Sequence, residues 1–331
     1  MRFGEYNHTS MAAAQELHAA EIVDLSRIKA DELEPVLQEE RITWRSTLRW
    51  DFSSSAELVR RFVRIQALGG YALLIGGRVI GYSYYVVEER KGLIGDLYIL
   101  REFACSEYED ALLSAVLEAL VRAPGVNRIE AQLMMLRGPF ERALPLAKHA
   151  HIHPRLFMLA DLGDAGDLPE SRGAHRVRIR QWNDAREEES AVLIAAAYRG
   201  HIDASINDQY GSVTGARRFL NNIVQYPGCG SFFPPASLSA ERADGKLCGI
   251  VLASLVAADT GHITQVCVAP ECKGHGIGYE LLRRSLYVLS RSKCERVSLT
   301  VTAANTGAIE LYQTMGFRAT RRFAAYVWEG F

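Results

Sequence analysis

The sequence predicts an α/β (α+β mixed sheet) protein made of two tandem copies of one unit, each a mixed, largely antiparallel sheet flanked by helices. Three observations predict it. The chain has 331 residues, a length that favours two ordinary domains over one. Strand-like and helix-like periodicities follow one another in the same order along both halves. The second half also repeats the first: with Gly81 set on Gly249, 168 positions on, one inserted residue brings Gly92, Ile94, Leu97 and Ile99 onto Gly261, Ile263, Val266 and Val268. At the same offset NRIEAQLMML (127 to 136) falls on ERVSLTVTAA (295 to 304).

The first copy opens with EIVDLSRI, a strand pattern, and KADELEPVLQEERITW, a helix pattern. A three-strand meander follows, its later part in GRVIGYSYYVVEERKGLIGDLYIL (77 to 100), and then EYEDALLSAVLEALVRA (107 to 123), apolar at helical spacings. Between the copies DLGDAGDLPESRGAHR is rich in Gly, Asp and Pro and has no periodicity. Residues 1–163 are therefore expected to form the first unit, 164–176 a linker, and 177–331 the second unit. The second copy restarts with HRVRIRQW, a strand, and NDAREEESAVLIAAAYRG, a helix with an Asn or Asp cap, early acids and a closing glycine. Its meander, helix (278 to 292), strand, short helix and last strand FAAYVWEG keep the same order.

Composition excludes several classes. Apolar residues make up 48% and charged residues 23%, so the chain is globular. The net charge of −1, with no basic block, disfavours nucleic acid as the main partner. No apolar run reaches membrane-spanning length, and Gln15, Glu16 and His18 break the N-terminal run unlike a secretory signal, so a cytoplasmic protein without membrane contact is expected. The six cysteines (105, 229, 248, 267, 272 and 294) form no CxxC pair, which favours reduced thiols over disulfides or zinc, and no metal is expected. His149, His151 and His153 alternate as on one strand face; they read as a solvated strand edge ended by Pro154 rather than a metal site.

The stretch ECKGHGIGYELL, residues 271 to 282, crowds glycines just before a helix. A Walker A loop is excluded, because no Gly-Lys-Ser/Thr follows, and the glycine order and position fit a Rossmann fingerprint poorly. A pyrophosphate cradle at a helix start and a mere glycine-rich turn stay open on this stretch alone. A second element, NTGAIELYQTMGF (305 to 317), tips the balance toward the cradle.

Together the two elements resemble the GNAT superfamily of acetyl-CoA-dependent N-acyltransferases. Lys273, Gly274, His275, Gly276, Ile277 and Gly278 match its pyrophosphate motif, with Lys in place of the usual Arg or Gln, and Asn305, Ala308, Leu311, Tyr312, Gly316 and Phe317 match its second motif in full. The resemblance implies acetyl-CoA as co-substrate. Val266, Cys267 and Val268 would offer main-chain groups to the pantetheine, the backbone of residues 274–278 with Tyr279 would hold the pyrophosphate, and Asn305 would contact the cofactor. Tyr312 would be the general acid at the thioester sulfur. The base position, a strand carboxylate in many members, here holds His262, with Asp259 in the turn before it; an imidazole with its ordinary pKa suits the role. Tyr210, Arg217, Arg218, Tyr226 and Phe232 are candidates for lining the acceptor pocket.

The first copy has REFACSEYED (101 to 110) where the second has its glycine loop, and offers Arg137 and Leu144 near the positions of Asn305 and Tyr312. It resembles the degenerate half of a tandem GNAT chain, expected to bind no acetyl-CoA and to serve as scaffold or pocket wall. The activity implied is acetyl transfer to a primary amine, a small molecule being favoured over a protein lysine or N-terminus. The rivals are a longer acyl donor and a non-catalytic acyl-CoA sensor. Monomer and homodimer are both compatible, since the duplication can itself replace a dimer.

Overall fold

The computed structural model describes residues 20–171, 173–226, 228 and 230–331. The N-terminal stretch bearing Gln15, Glu16 and His18, and Cys229, lie outside the described residues.

The first half runs β1 (Ala20–Asp24), α1 (Glu34–Leu48), α2 (Ser53–Arg64), β2 (Gly69–Ile75), β3 (Arg78–Glu88), β4 (Lys91–Ile99), α3 (Ser106–Arg122), β5 (Arg128–Gln132) and β6 (Ala150–Asp161). The second runs β7 (Arg178–Gln181), α4 (Glu187–Ala197), α5 (Ile202–Ile206), α6 (Val213–Gln225), the two-residue β8 (Ser231–Phe232), β9 (Leu238–Glu241), β10 (Leu247–Ala257), β11 (Thr260–Val268), α7 (Ile277–Arg291), β12 (Arg296–Thr302), α8 (Thr306–Thr314) and β13 (Arg318–Glu329). The order of elements therefore repeats, except that a short 3-10 turn, Ala147–His149, stands where the second half has α8, and that the second half adds the short α5 and β8. Local chemistry sets the ends of these helices: Ser212 accepts the Gly215 N–H at 3.0 Å to start α6, and Asn305 accepts the Ala308 N–H at 3.3 Å to start α8.

All but β8 lie on the path of one continuous sheet, in the order β1-β2-β3-β4-β5-β13-β6-β12-β11-β10-β9-β7, with β8 paired to β10. The two halves exchange their last strands. β13 pairs with β5 of the first half and β6 with β12 of the second, and β6 and β13 pair antiparallel at the centre. The cores follow the exchange: Phe323, Tyr326 and Trp328 of β13 pack in the first core, Met158 and Ala160 of β6 in the second. Contacts across the seam are reciprocal, as at a two-fold interface. The α1–α2 junction reaches the β10–β11 end through Arg45–Asp259 at 2.8 Å and Asp51 N–H to Val256 O at 2.7 Å. In turn, the α5–α6 region reaches the β3–β4 end through Arg218–Glu89 at 2.6 Å and Asp208–Lys91 at 2.5 Å.

Both halves carry a bulge at the same place. The β3–β4 register shifts opposite Gly95, and the β10–β11 register shifts opposite Thr264. Just before each bulge the parallel pairing stops, at Ile94–Ala131 and at Ile263–Leu299, and the two strands part.

In the first half the parted strands cover a buried pair of carboxyls. Glu40 accepts from the Tyr82 hydroxyl at 2.7 Å and from Trp44 Nε1 at 3.3 Å, while Asp96 accepts the Leu97 N–H at 2.8 Å. Burial pushes Asp96 up to about 6 and raises Glu40 well above the usual range, with the charge of Asp96 adding to it. Raised carboxyl pKa values mean that the folded chain binds these protons more tightly, so their stabilisation is present below the ordinary carboxyl pKa and is lost as pH rises through about 6. Asp96→Asn is expected to raise stability at pH 8 by roughly 1–3 kcal/mol, the gain vanishing toward pH 4. Denaturant titrations at the two pH values check it; a variant less stable at pH 8 would refute it.

Candidate active site

The glycines of residues 274–278 do three different jobs. Gly274 and Gly276 both have φ +76, in the left-handed region that favours glycine. A Cβ at Gly274 would meet nothing within 4 Å, whereas a Cβ at Gly276 would lie 2.2 Å from Ser171 Oγ. At Gly278 it would touch Val268 at 3.5 Å, where α7 packs on β11. Only Gly274 is bare toward the outside; Gly276 also makes room for the segment between the halves. That segment is pinned on the start of α7: Tyr279 donates to Pro169 O at 3.0 Å, the Ser171 N–H to Glu280 at 3.2 Å, and Gly173 lies so close that its Cβ would meet His275 O at 1.8 Å. Burial alone would raise the Glu280 carboxyl, but hydrogen bonds from Arg283, Arg284 and Ser171 hold it at about 2.

None of the N–H groups of residues 274–279 donates to a described residue, and the helix ladder begins with Glu280 N–H to Gly276 O at 3.0 Å. Successive free N–H groups at a helix start form an anion seat, and the helix dipole adds to it. The residues present fit a pyrophosphate. Lys273 keeps its cation beside the loop, with Nζ 3.5 Å from Ala197 O. On β11 the edge from Thr264 to Val268 faces the space left by β12, so the main chain of Val266, Cys267 and Val268 has no strand partner on that side. Asn305 Oδ1 is spent on capping α8, which leaves its amide nitrogen for a ligand.

The second α3-type helix start, in the first half, holds an ion pair. Glu109 accepts the Arg137 N–H at 3.2 Å and pairs with Arg142 at 2.5 Å, and Arg142 also donates to Ser106 O at 3.0 Å. The Glu109–Arg142 pair thus crowds the first turn of α3, with Arg142 on the Ser106 carbonyl.

Tyr312 is 7% exposed and packs on Phe317 at 6.0 Å between ring centres. Burial, then the nearby Asp203 carboxylate, raises its pKa, with Arg155 opposing, so the phenol stays protonated. Asp203 accepts from the Thr302 hydroxyl and lies 3.7 Å from Arg155. Tyr198 donates to Gln265 at 3.0 Å and stacks on Tyr210 at 4.3 Å. Cys267 faces the same group; burial pushes its thiol up to about 12, so it carries no thiolate near neutrality.

His262 is placed differently from the expectation for a base. It is 4% exposed, with Nδ1 2.9 Å from Ser298 Oγ and its ring against Trp50 at 4.8 Å. Burial pulls its pKa down to about 3. A ring that acidic, wedged in the seam between the halves, is a poor acceptor of protons at neutral pH. Asp259 is taken up by Arg45. A cavity of about 290 Å³, lined by Trp44, Trp50, Phe52 and Val256 among others, also lies in that seam rather than at the parted strands.

Of the acceptor-side candidates, only Tyr210 joins the cluster. Arg217 pairs with Glu187 at 3.0 Å, Arg218 with the first half, Phe232 stacks edgewise on Trp182 and Tyr226 is exposed. The histidine stretch needs correcting too. Pro154 does not end a strand edge, because β6 continues to Asp161 and sits between β13 and β12. His153 is half-buried, and burial lowers its pKa. Among the described residues no group of three His, Cys, Asp or Glu could hold a metal ion, no helix is long and apolar enough to cross a membrane, and the five described cysteines are free. The sequence passed over Asp203, Tyr198, Gln265, Arg155 and Ser171, which carry no motif and meet only in the fold.

Residues 205–317 match the family model described as Acetyltransferase (GNAT) family. An uncharacterised N-acetyltransferase of Methanocaldococcus jannaschii is 33% identical over 104 residues, 31% of this chain and 65% of that protein. A mycothiol acetyltransferase of Thermobispora bispora is 34% identical over 160 residues, 46% of this chain and 48% of that one. The matches thus span less than two thirds of these relatives' lengths. Among solved structures, a GCN5-related N-acetyltransferase from Sphaerobacter thermophilus superposes with TM-score 0.66 at 19% identity, covering 93% of this chain and 95% of that one. A tandem GNAT protein from the clavulanic acid biosynthesis pathway superposes with TM-score 0.57 at 18% identity, covering 94% and 98%. With its paired motifs and parted strands, the stretch 205–317 carries a GNAT acetyltransferase domain, and the chain as a whole shares the fold of these two solved structures.

Proposed function

We propose that the second half transfers an acetyl group from acetyl-CoA to a primary amine, by direct attack within a ternary complex. The observation that carries this is the meeting of an open β11 edge with a glycine loop whose N–H groups donate to no described residue. In this reading the backbone of residues 274–279, with Lys273 beside it, holds the pyrophosphate; Val266, Cys267 and Val268 align the pantetheine; and Asn305 contacts the cofactor. The amine nitrogen attacks the thioester carbonyl carbon, the C–S bond breaks, and Tyr312 donates to the departing sulfur, which leaves as the thiol. The amine proton passes to Asp203, which is 15% exposed and so can return it to water. Asp203 replaces His262 in the base role for the electrostatic reasons given above. The first half, with Glu109 and Arg142 crowding the start of α3, binds no second acetyl-CoA. We keep the division at residues 164–176 as part of this reading, with the consequence that cutting there does not yield two closed units, because each half holds a strand of the other.

The test is free-thiol release from acetyl-CoA with a panel of primary amines. Asp203→Asn is expected to lower kcat about 100-fold or more, and His262→Gln to leave the pH profile of kcat unchanged while lowering stability. Binding of acetyl-CoA without thiol release by any amine would favour a sensor and end the transferase reading.

A further inference from the structure

In the group that joins Asp203, Tyr198 and Arg155 the structure leaves three buried nitrogens without a hydrogen-bond partner among the described residues: Gln265 Nε2 beside Tyr198, Arg155 Nε, and His153 Nε2 on the same strand as Arg155. The fourth such atom, Arg142 Nε, belongs to the crowded start of α3 in the first half. Buried polar groups in native proteins are nearly always satisfied, so an unpartnered set at one place points to something that completes it. For Gln265 the conclusion does not depend on how its amide is turned, since one end faces the Tyr198 hydroxyl and the other faces no partner.

Two of the three come from the first half. His153 and Arg155 lie two apart on β6 and so share a face, and the strand exchange seats β6 beside β12. There Arg155 reaches Thr302 at 3.4 Å and Thr300 at 3.2 Å, long bonds for a guanidinium, and stands 3.7 Å from Asp203. The side chains of Arg155 and Asp203 are 11% and 15% exposed. A cation and a carboxylate thus sit side by side, nearly out of water, with spare donors on the cation's side. His153 adds a hydrogen-bonding nitrogen without a charge. Such a pair is complementary to a molecule that carries both charges itself.

We propose that the exchanged strand β6 completes the acceptor site: Arg155 and His153 hold a carboxylate of the acceptor while Asp203 takes its neighbouring amine, which makes the acceptor class an amino acid or another amine with a carboxylate beside it. The proposal rests on the transferase reading of the same cleft, and it makes the first half a source of acceptor-binding residues rather than a scaffold. The guanidinium can face a carboxylate in a bidentate manner, which an ammonium cannot do, so Arg155→Lys retains charge without full recognition.

The experiment uses the full chain and pairs each carboxylate-bearing amine with its decarboxylated and its hydroxyl-bearing counterparts. Wild type is expected to favour the carboxylated member about 10- to 100-fold in kcat/KM. Arg155→Gln should erase that preference through KM with little change in kcat, Arg155→Lys should restore part of it, and His153→Gln should weaken it less. Acetyl-CoA affinity, measured by calorimetry on each variant, should not move, which separates a lost acceptor site from a lost fold. Calorimetric binding of the same amines to the CoA-loaded protein needs no turnover: carboxylate-dependent binding that Arg155→Gln abolishes supports the proposal even where no thiol is released and the transferase reading has failed. A preference for hydroxylated or plain amines, or a carboxylate preference that survives in Arg155→Gln, overturns it.

Discussion

Replacing Tyr312 by Phe is expected to lower kcat about 100- to 10,000-fold, the range that one positioned proton donor contributes, with the affinity for acetyl-CoA unchanged. The ring would keep its place on Phe317 inside the second core, so the fold should tolerate the change. What is lost is the hydroxyl. Because burial and the Asp203 carboxylate raise the phenol's pKa, it remains protonated throughout the accessible pH range, and its ionisation should add no alkaline limb to the kcat profile. Steady-state kinetics beside calorimetric binding makes the measurement, and an unaltered kcat would leave Tyr312 a core aromatic and nothing more.

Gly274→Asp is expected to weaken acetyl-CoA binding about 100-fold, with little loss of stability. The position is chosen because its added side chain meets no protein atom within 4 Å, so interference with a ligand is separated from a packing clash. Its φ of +76 is one that Asp and Asn adopt more readily than other residues. At about 5 Å from a pyrophosphate in a partly screened setting, the added carboxylate opposes binding by roughly 3 kcal/mol, about the 100-fold stated. Gly274→Asn has the same shape without the charge and should fall in between. Equal affinity in wild type and Gly274→Asp would move the pyrophosphate away from this loop. The same substitution at Gly276 would be uninformative, because it would also drive into Ser171.

Much of this was written in the residues. The duplicated register of Gly81, Gly92 and Ile94 on Gly249, Gly261 and Ile263 is reproduced in paired strands, and the inserted residue is Val256, which the register skips near the turn between the antiparallel β10 and β11. The glycine loop and the motif from Asn305 to Phe317 are local, since each needs only its own backbone and the helix that follows, so a linear pattern is enough to reveal them. The absence of glycines in REFACSEYED was also visible, although the Glu109–Arg142 pair at the start of α3 was not, because it joins residues from either side of β5. His262 shows the limit most directly. Its place in the strand was legible, but its pKa depends on Trp50 and Ser298, which burial brings to it from elsewhere in the chain.

The residues alone point to two copies of one unit and, through their resemblance to the two GNAT motifs, to a phosphate seat and a role for Tyr312, because each motif is a spacing within a few turns of chain. Which strand lies beside which was open, since β6 and β13 have similar apolar patterns and either could close its own half. The fold closes each half with the other's strand, and so carries Arg155 and His153 of the first half to Asp203 of the second. Long-range pairing leaves no local spacing to read, and a buried donor without a partner can be seen only once every neighbour of that atom is known.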